Sequence, residues 1–475
     1  MAAPVLGAAR RARPTARAGD AMISPDIIEE VKRLADPVVL IGARVRLWKS
    51  GIAYAGSCPF HEERQASFRV YPKDKHFVCY GCGASGDIFQ FFQRADGKAF
   101  PTVVRELAAS LGIVIPPERP ATAQEQRERG ERASLLAACE AAMSHWQRNL
   151  WGSEGEKARE YLAERRVTDE AARAFRLGFA RPDWHDLERA LGAAKIAHAV
   201  QHAAGVITSR EVPGKGVRYH DRFRDRVVFP IEDIQGRVTG FGARTLGAEP
   251  EAKYLNGPET PLFKKSRVLF GLRQARDVIR STGRALLVEG YFDVIALHQA
   301  GFTSAVAACG TTLSREQVEQ LAGAGCMELV LLFDGDEGGA LAAARAARVL
   351  LQANLSATVA RVPTSSHGGQ SDPDVLVARS GRRGMEEVLA AAKPLTEFLI
   401  DDAVQRHADG IGVQAPVEHK LAVLRAVMPF VLATPDGLPR ATFERAVARR
   451  LGIDIGPLRQ ELQRAARTER PGSHP

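Results

Sequence analysis

Short apolar runs alternate with amphipathic segments of helical length across residues 284–374. The runs are Ala285–Val288, Leu329–Phe333 and Thr358–Val362. Apolar runs of this length, separated by helical segments, are typical of a parallel α/β sheet. We therefore predict an α/β domain with a parallel sheet in this part of the chain.

The hydrophobic pattern changes character on both sides of this segment. Ser24–Leu34 has the spacing of an amphipathic helix, with Ser24 as N-cap and Pro25 at the first helical position. Residues 40–80 follow with short strands and turns, which predicts a small β module. Residues 380–467 are predicted to be helical from the spacing of their apolar positions: Leu395, Phe398, Leu399, Leu421, Leu424, Val427 and Phe430.

Composition places the chain among multidomain globular proteins. It has 475 residues, 45% hydrophobic and 25% charged, and no apolar run approaches the ~20 residues of a membrane span. A net charge of +9 weakly favours a polyanionic partner. Met1–Ala21 is rich in Ala and Arg, as transit peptides are, but we prefer a disordered tail or a misassigned start before Met22.

Three of the six cysteines lie close to a histidine. Cys58-Pro59-Phe60-His61 and Cys79-Tyr80-Gly81-Cys82 form two pairs, each with two residues between its members. Knuckle turns present such pairs to a tetrahedral Zn²⁺, and the spacer can form a β-hairpin. We therefore predict one structural zinc ion. The remaining cysteines are predicted to be packed thiols in a reducing cytosol: Cys139, Cys309 and Cys326.

Basic and aromatic residues alternate around these pairs, a pattern that suits single-stranded nucleic acid. The alternative is that the aromatic side chains form the module's core and the charges are solvated. The residues in question are Arg64, Phe68, Arg69, Tyr71, Lys73, Lys75, His76, Phe77 and Tyr80.

Pairs of carboxylates follow the three apolar runs of the predicted sheet. They are Glu289 with Asp293, Asp334 with Asp336, and Asp372 with Asp374. Because the carboxyl ends of parallel strands meet at one edge, these acids should converge there. Two like charges ~4 Å apart cost roughly 4 kcal/mol even at an effective dielectric near 20, and a divalent cation removes that cost. All-oxygen ligands favour Mg²⁺ or Mn²⁺. The alternative is that each acid caps a helix or decorates a loop.

Two of these motif sets resemble known families. Val288-Glu289-Gly290, Asp334-Gly335-Asp336 and Asp372-Pro373-Asp374 resemble the Toprim fold, which occurs in primases, topoisomerases, recombination mediators and nucleases. The zinc motif with Ser67-Phe68 and Gly86-Asp87, followed by a Toprim segment, resembles bacterial DnaG-type primases. Residues 219–265 add to this likeness through Arg222-Phe223-Arg224, Gly240-Phe241-Gly242 and Lys253-Tyr254-Leu255-Asn256.

The resemblance implies a Mg²⁺-dependent DNA primase, which joins ribonucleoside triphosphates into RNA primers on single-stranded DNA in the cytoplasm, at the replication fork. Glu289, Asp334 and Asp336 are then the catalytic residues and metal ligands, with Asp372 a further ligand and Asp293 and Asp374 lesser candidates. Template, primer or nucleotide phosphates would be contacted by Arg222, Arg224, Arg244, Lys253, Asn256 and Lys265. The family also implies a replicative helicase as partner, although its usual C-terminal docking domain is not found before Pro475.

The expected architecture is a multidomain α/β protein. It comprises a zinc-ribbon-like β module (22–115), a linker (116–131), a mixed α+β basic subdomain (132–279), a Toprim α/β domain (280–379), a helical subdomain (380–467) and tails at 1–21 and 468–475. Two alternatives stay open: a Toprim nuclease or topoisomerase, and a zinc/Toprim single-strand DNA-binding or recombination protein.

Overall fold

The computed structural model describes residues 23–63, 65–73, 75–115, 122–247, 252–310, 312–334, 337–363, 372–407 and 415–468. The chain forms two compact units, Met1–Ala123 and Gln124–Pro475. Over the part of the chain that the structure describes, no helix is both long enough and apolar enough to cross a bilayer.

The first unit is a five-stranded antiparallel sheet packed against helices. Its strands pair in chain order: β1 (Trp48–Ser50), β2 (Ala53–Gly56), β3 (Phe68–Tyr71), β4 (His76–Cys79) and β5 (Ser85–Asp87). The helices are α1 (Pro25–Leu34), α2 (Pro37–Gly42), α3 (Ile88–Asp96) and α4 (Phe100–Ser110). Ser24 is the N-cap of α1, as predicted, and its side chain accepts a hydrogen bond from the Asp26 N–H. Phe68 and Phe77 stack with ring centroids 5.4 Å apart in the core under the sheet.

The second unit begins with helices around a four-stranded antiparallel sheet of order β11-β10-β9-β6, beside the hairpin β7–β8. The strands are β6 (Gly178–Ala180), β7 (Ile207–Val212), β8 (Gly216–Asp221), β9 (Arg226–Glu232), β10 (Val238–Thr245) and β11 (Tyr254–Asn256). The helices are α5 (Ala123–Trp151), α6 (Glu156–Glu164), α7 (Asp169–Ala174), α8 (Asp186–Ala193) and α9 (His198–Ala203), with short 3₁₀ helices at Ser153–Gly155 and Lys265–Arg267.

The start of α5 differs from the sequence-based expectation. Residues 123–131 were expected in a flexible joint, but they form the first turns of this 29-residue helix. Glu, Gln and Arg have high helix propensity, and helix α5 continues without a break into the buried Leu135 and Trp146. Residues 116–121 of the expected joint lie outside the described part of the chain.

A parallel sheet follows in the order β13-β12-β14-β15-β16, with only the last strand antiparallel. Its strands are β12 (Arg284–Val288), β13 (Ala305–Ala307), β14 (Glu328–Phe333), β15 (Ser356–Arg361) and β16 (Lys393–Pro394). The helices are α10 (Leu272–Thr282), α11 (Tyr291–Gln299), α12 (Arg315–Gly323), α13 (Glu337–Gln352) and α14 (Pro373–Ala390). The predicted parallel α/β domain is confirmed.

This sheet is buried on both faces, which explains why its strands are continuously apolar. Leu287 and Leu331 belong to one core cluster, which also contains the last four helices. Leu286 and Val330 belong to a second cluster, shared with strands β6 and β9. The last helices are α15 (Leu395–His407), α16 (Val417–Ala433), α17 (Leu438–Leu451) and α18 (Ile455–Thr468), so the helical C-terminal segment is also confirmed.

Candidate active site and zinc centre

The four predicted zinc ligands meet at one end of the first unit's sheet. The donor atoms of Cys58, His61, Cys79 and Cys82 all lie within 4.8 Å of one another. The Sγ atoms of Cys58 and Cys82 are 3.8 Å apart, and Cys79 Sγ is 3.8 Å from His61 Nδ1. Four ligands about 2.3 Å from a central ion stand about 3.8 Å apart at tetrahedral angles, so the cluster fits zinc.

The local backbone prepares this site for a cation. The N–H of Phe60 points at Cys58 Sγ from 3.4 Å, and the N–H of Cys82 points at Cys79 Sγ from 3.5 Å. Burial opposes ionisation of Cys79, but the Ser67 hydroxyl and the backbone N–H groups of Cys82 and Gly81 outweigh it and lower the pKa of the Cys79 thiol to about 6. Thiolates are the form that binds zinc. Gly81 is required here because a Cβ would lie 2.6 Å from His61 Nε2.

The aromatic residues of this module divide between its two faces. Phe68 and Phe77 are fully buried, so the alternative of a core role is correct for them. Tyr71 stacks on His76 with centroids 4.8 Å apart, and its hydroxyl lies 3.0 Å from that of the exposed Tyr80. Strand pairing puts Arg69, Tyr71, His76 and also Trp48 on the opposite, outer face. Arg64 lies outside the described residues.

The acidic residues of the parallel sheet line one cleft in the second unit, about 280 Å³ in volume. Glu289 follows β12 directly and Asp334 follows β14 directly, so both stand at the carboxyl edge of neighbouring strands. Asp372 joins them as the N-cap residue of α14. Asp336 lies outside the described residues. The other residues that line the cleft are Arg165, Lys253, Tyr254, Asn256, Gly290, Tyr291, Phe292, Asp293, Cys309, Gly310 and Asp374.

Asp293 connects the loops that carry the other acids. Its Oδ2 accepts a hydrogen bond from the Gly290 N–H at 3.0 Å, and its Oδ1 accepts one from the Asp374 N–H at 3.3 Å. It therefore caps α11 just after Glu289 and holds the first turn of α14 just after Asp372. Burial, with the nearby charge of Asp374, raises the pKa of Asp293 to about 7. Backbone N–H groups therefore contact both carboxylate oxygens of Asp293, as the alternative that an acid caps a helix implies.

Asp374 lies in the first turn of α14 and faces a guanidinium. Helix α14 starts at Pro373, so Asp372 is its N-cap residue and Asp374 follows inside the helix. Asp374 Oδ2 is 3.7 Å from Arg165 Nη1, and among the described residues its buried Oδ1 has no hydrogen-bond partner. Burial and the charge of Asp372 raise the pKa of Asp374, while Arg165 and Lys253 oppose the shift.

Two of the six predicted phosphate-contacting residues line the cleft beside the acids, namely Lys253 and Asn256. The Asn256 side chain is fixed from both ends: its Oδ1 accepts a hydrogen bond from the Tyr291 hydroxyl at 2.7 Å, and its Nδ2 donates one to the Cys309 carbonyl at 3.0 Å. Tyr291 in turn stacks on Phe229. This chain of contacts connects β11 to α11 and to the end of β13.

The other four predicted phosphate-contacting residues do not line the cleft. Arg244 is adjacent to it, since its Nη1 donates a hydrogen bond to the Lys253 carbonyl at 3.2 Å. Arg222 and Arg224 lie in the loop between β8 and β9, where the Arg224 guanidinium carbon is 3.9 Å from the ring centre of Trp184. Lys265 begins a 3₁₀ helix, and its backbone N–H donates to Glu259.

The sequence patterns did not predict three residues near these sites: Arg165, Trp184 and Glu63. Arg165 reaches the cleft from the end of α6, and Trp184 is 56% exposed under Arg224. Glu63 lies between the two zinc-ligand pairs, with its carboxylate 3.4 Å from His61. A carboxylate close in sequence to metal ligands was a usable signal for Glu63. The other two depend on contacts between distant segments.

Comparison with known proteins gives the same domain order. The family described as CHC2 zinc finger matches residues 23–123, the DNA primase catalytic core, N-terminal domain, matches 145–276, and a Toprim-like domain matches 286–376. The DNA primase of Myxococcus xanthus is 40% identical over 427 residues, which cover 90% of this chain and 67% of that protein. Across eight bacterial DNA primases, the chain spans from 51% to 72% of their length.

Solved structures agree with this assignment. The zinc-binding and RNA polymerase domains of Aquifex aeolicus primase cover 92% of this chain and 100% of their own, with a TM-score of 0.58 and 28% identity. A DnaG primase catalytic domain bound to single-stranded DNA covers 69% of this chain and 99% of its own, with a TM-score of 0.61 and 30% identity.

A zinc module followed by a catalytic core with a Toprim sheet defines a class of template-directed nucleotidyltransferases. Within that class, the matches to three consecutive domains identify the family. The chain belongs to the family of bacterial DnaG-type DNA primases, which are DNA-directed RNA polymerases that make RNA primers. The mediator and topoisomerase alternatives are not favoured, because the segment between the zinc module and the Toprim sheet matches the DNA primase catalytic core.

Proposed function

We propose that Glu289, Asp334 and Asp372 form the polymerase centre of this chain, and that it joins ribonucleoside triphosphates into short RNA primers on single-stranded DNA. The observation that carries this proposal is the cleft that these acids share with Lys253 and Arg165. Carboxylates that bind cations, set opposite cations that bind phosphates, are the arrangement that phosphoryl transfer requires.

The donor set of the cleft fits Mg²⁺ or Mn²⁺, which prefer carboxylate oxygens. Glu289, Asp334 and Asp372 would hold the cation, with Asp336 as a further ligand by sequence. A bound divalent cation supplies charge neutralisation for the triphosphate and lowers the pKa of the attacking hydroxyl.

The protein's own contribution is to position and neutralise the reacting groups. Lys253 and Arg165 line the same cleft as Glu289 and would neutralise phosphate oxygens there. Asn256 is held by Tyr291 and by the Cys309 carbonyl, so one of its amide hydrogens remains to contact a phosphate or a ribose. Preorganised donors of this kind cost no reorganisation when charge moves to the leaving pyrophosphate.

Template binding is proposed at two surfaces, one on each unit. In the second unit, Trp184 offers an exposed ring beside Arg224 and Arg222, which suits base stacking next to phosphate pairing. In the first unit, Tyr71, His76 and Arg69 form the outer face of the sheet. A related DnaG primase catalytic domain was solved bound to single-stranded DNA, which supports template binding by the second unit.

The test is primer synthesis with single-stranded DNA, ribonucleotides and Mg²⁺. Asp334→Asn and Glu289→Gln should abolish short RNA products while single-strand affinity stays within about twofold, since neither residue belongs to a proposed template surface. RNA synthesis at wild-type rates by Asp334→Asn would refute the assignment. Action at the replication fork, with a replicative helicase as partner, is the cellular part of the proposal, and co-purification with that helicase tests it.

A further inference from the structure

Glu63 makes a set of contacts that reaches three of the four zinc ligands. Its side chain is 8% exposed. Oε1 accepts hydrogen bonds from the backbone N–H of Cys58 at 2.6 Å and of Ser67 at 3.1 Å. Oε2 lies 3.4 Å from His61 Nε2. The Ser67 hydroxyl bridges Glu63 Oε2 and Cys79 Sγ, 3.2 Å from the sulfur.

The two ring nitrogens of His61 face different groups. Nδ1 lies on the side of the ligand cluster, 3.8 Å from Cys79 Sγ, whereas Nε2 lies 3.4 Å from the Glu63 carboxylate. A histidine binds a metal through the nitrogen that carries no proton, so His61 must hold its proton on Nε2. A carboxylate accepts a hydrogen bond only, and it therefore stabilises that tautomer.

We propose that Glu63 is the positioning residue of the zinc centre: its carboxylate fixes the Nε2–H tautomer of His61, orients the Cys58 turn, and holds Ser67 against Cys79. It is not itself a ligand. Metal-bound histidines commonly donate their second N–H to such a carboxylate, which orients the ring and increases its basicity. Glu63 lies in the loop between the two ligand pairs. Its carboxylate contacts Cys58 and His61 of the first pair directly, and it reaches Cys79 of the second pair through Ser67.

Glu63→Gln is the sharpest perturbation because it keeps the shape of the side chain. The amide oxygen can still accept from the Cys58 and Ser67 N–H groups. The amide nitrogen then faces His61 Nε2 as a donor, which favours the tautomer with the proton on Nδ1, where zinc should bind. Glu62→Gln is the matched control, since Glu62 is the adjacent glutamate, is exposed, and has the same charge and size.

The experiment measures zinc release from the full-length protein to a chromophoric chelator, and the visible spectrum of the Co²⁺-substituted protein. Glu63→Gln should bind zinc 10–100-fold more weakly and lose the ligand-field bands of a site with one histidine and three thiolates. Glu62→Gln should match the wild type. Ser67→Ala removes the hydroxyl contacts to Glu63 and Cys79 but leaves the Glu63 carboxylate beside His61, and it should lie between the two.

Two results would overturn the proposal. One is a Glu63→Gln protein whose zinc affinity and Co²⁺ spectrum equal those of Glu62→Gln. The other is a Glu63→Gln module that stays unfolded by circular dichroism at saturating zinc, because a loss of affinity alone is restored by excess metal. Recovery of the wild-type fold in excess zinc is the expected result.

Discussion

Asp293→Asn separates the two functions that a carboxylate in the catalytic cleft can have. Asp293 holds the N–H groups of Gly290 and Asp374, at the starts of two helices whose preceding residues are Glu289 and Asp372. If Asp293 only stabilises these loops through its hydrogen bonds, substitution should lower the free energy of unfolding. If it is a metal ligand, substitution should change the metal requirement.

The expected size follows from these two hydrogen bonds. Asparagine can accept from one N–H, but its amide nitrogen meets the other donor, so one cap is lost. Loss of a helix N-cap costs about 0.5–2 kcal/mol. Relief from burying a carboxylate whose pKa is raised to about 7 offsets part of this cost. We therefore expect the free energy of unfolding of the second unit to fall by about 1 kcal/mol or less.

The assay combines urea denaturation with a Mg²⁺ titration of primer synthesis. Asp293→Asn should unfold at lower urea concentration and need nearly the same Mg²⁺ concentration for half-maximal activity as the wild type. Asp334→Asn, as the comparison, should keep its stability and lose activity. Unchanged stability together with a tenfold higher Mg²⁺ requirement for Asp293→Asn would refute the hypothesis that Asp293 only stabilises these loops. It would indicate instead that Asp293 is a metal ligand.

Three further predictions follow from the geometry. Gly81→Ala places a Cβ 2.6 Å from His61 Nε2, so the purified protein should contain less than one zinc per chain by elemental analysis, and full occupancy would contradict this. Trp184→Ala should weaken single-stranded DNA binding about tenfold in fluorescence anisotropy, by loss of one stacked base, without changing the melting temperature. Burial raises the pKa of Asp221 to about 6, above its value of about 3.9 in an unfolded chain. Its contribution to stability is therefore complete below pH ~4 and lost as pH rises through 6. Relative to Asp221→Asn, the wild type should gain about 1 kcal/mol on going from pH 7 to pH 5 in urea unfolding.

The sequence predicted those parts of the molecule that depend on local spacing. The zinc ligands are pairs two residues apart on one hairpin, so their convergence follows from turn geometry. Glu289 and Asp334 follow apolar strands directly, and parallel strands bring their carboxyl ends together whatever the intervening helices are. These are consequences of short-range pattern, and the structure confirms them.

The parts of the site that the sequence did not predict depend on contacts between residues far apart in the chain. Arg165 and Asp374 meet across more than two hundred residues of chain, and no spacing rule connects them. Asn256 was expected to contact phosphate, but its amide is also part of a hydrogen-bonded chain with Tyr291 and Cys309. Phe68 and Phe77 alternate with basic residues in sequence, and only the pairing of their strands shows that they face the core.

The central claim is that acids from separate strand ends share a cation in the cleft that Lys253 lines. Anomalous diffraction from crystals soaked in Mn²⁺ tests it most directly. We predict a peak within about 2.5 Å of carboxylate oxygens of both Glu289 and Asp334. Manganese bound only elsewhere, for example at the half-buried Asp401 and Asp402 on α15, would contradict the account.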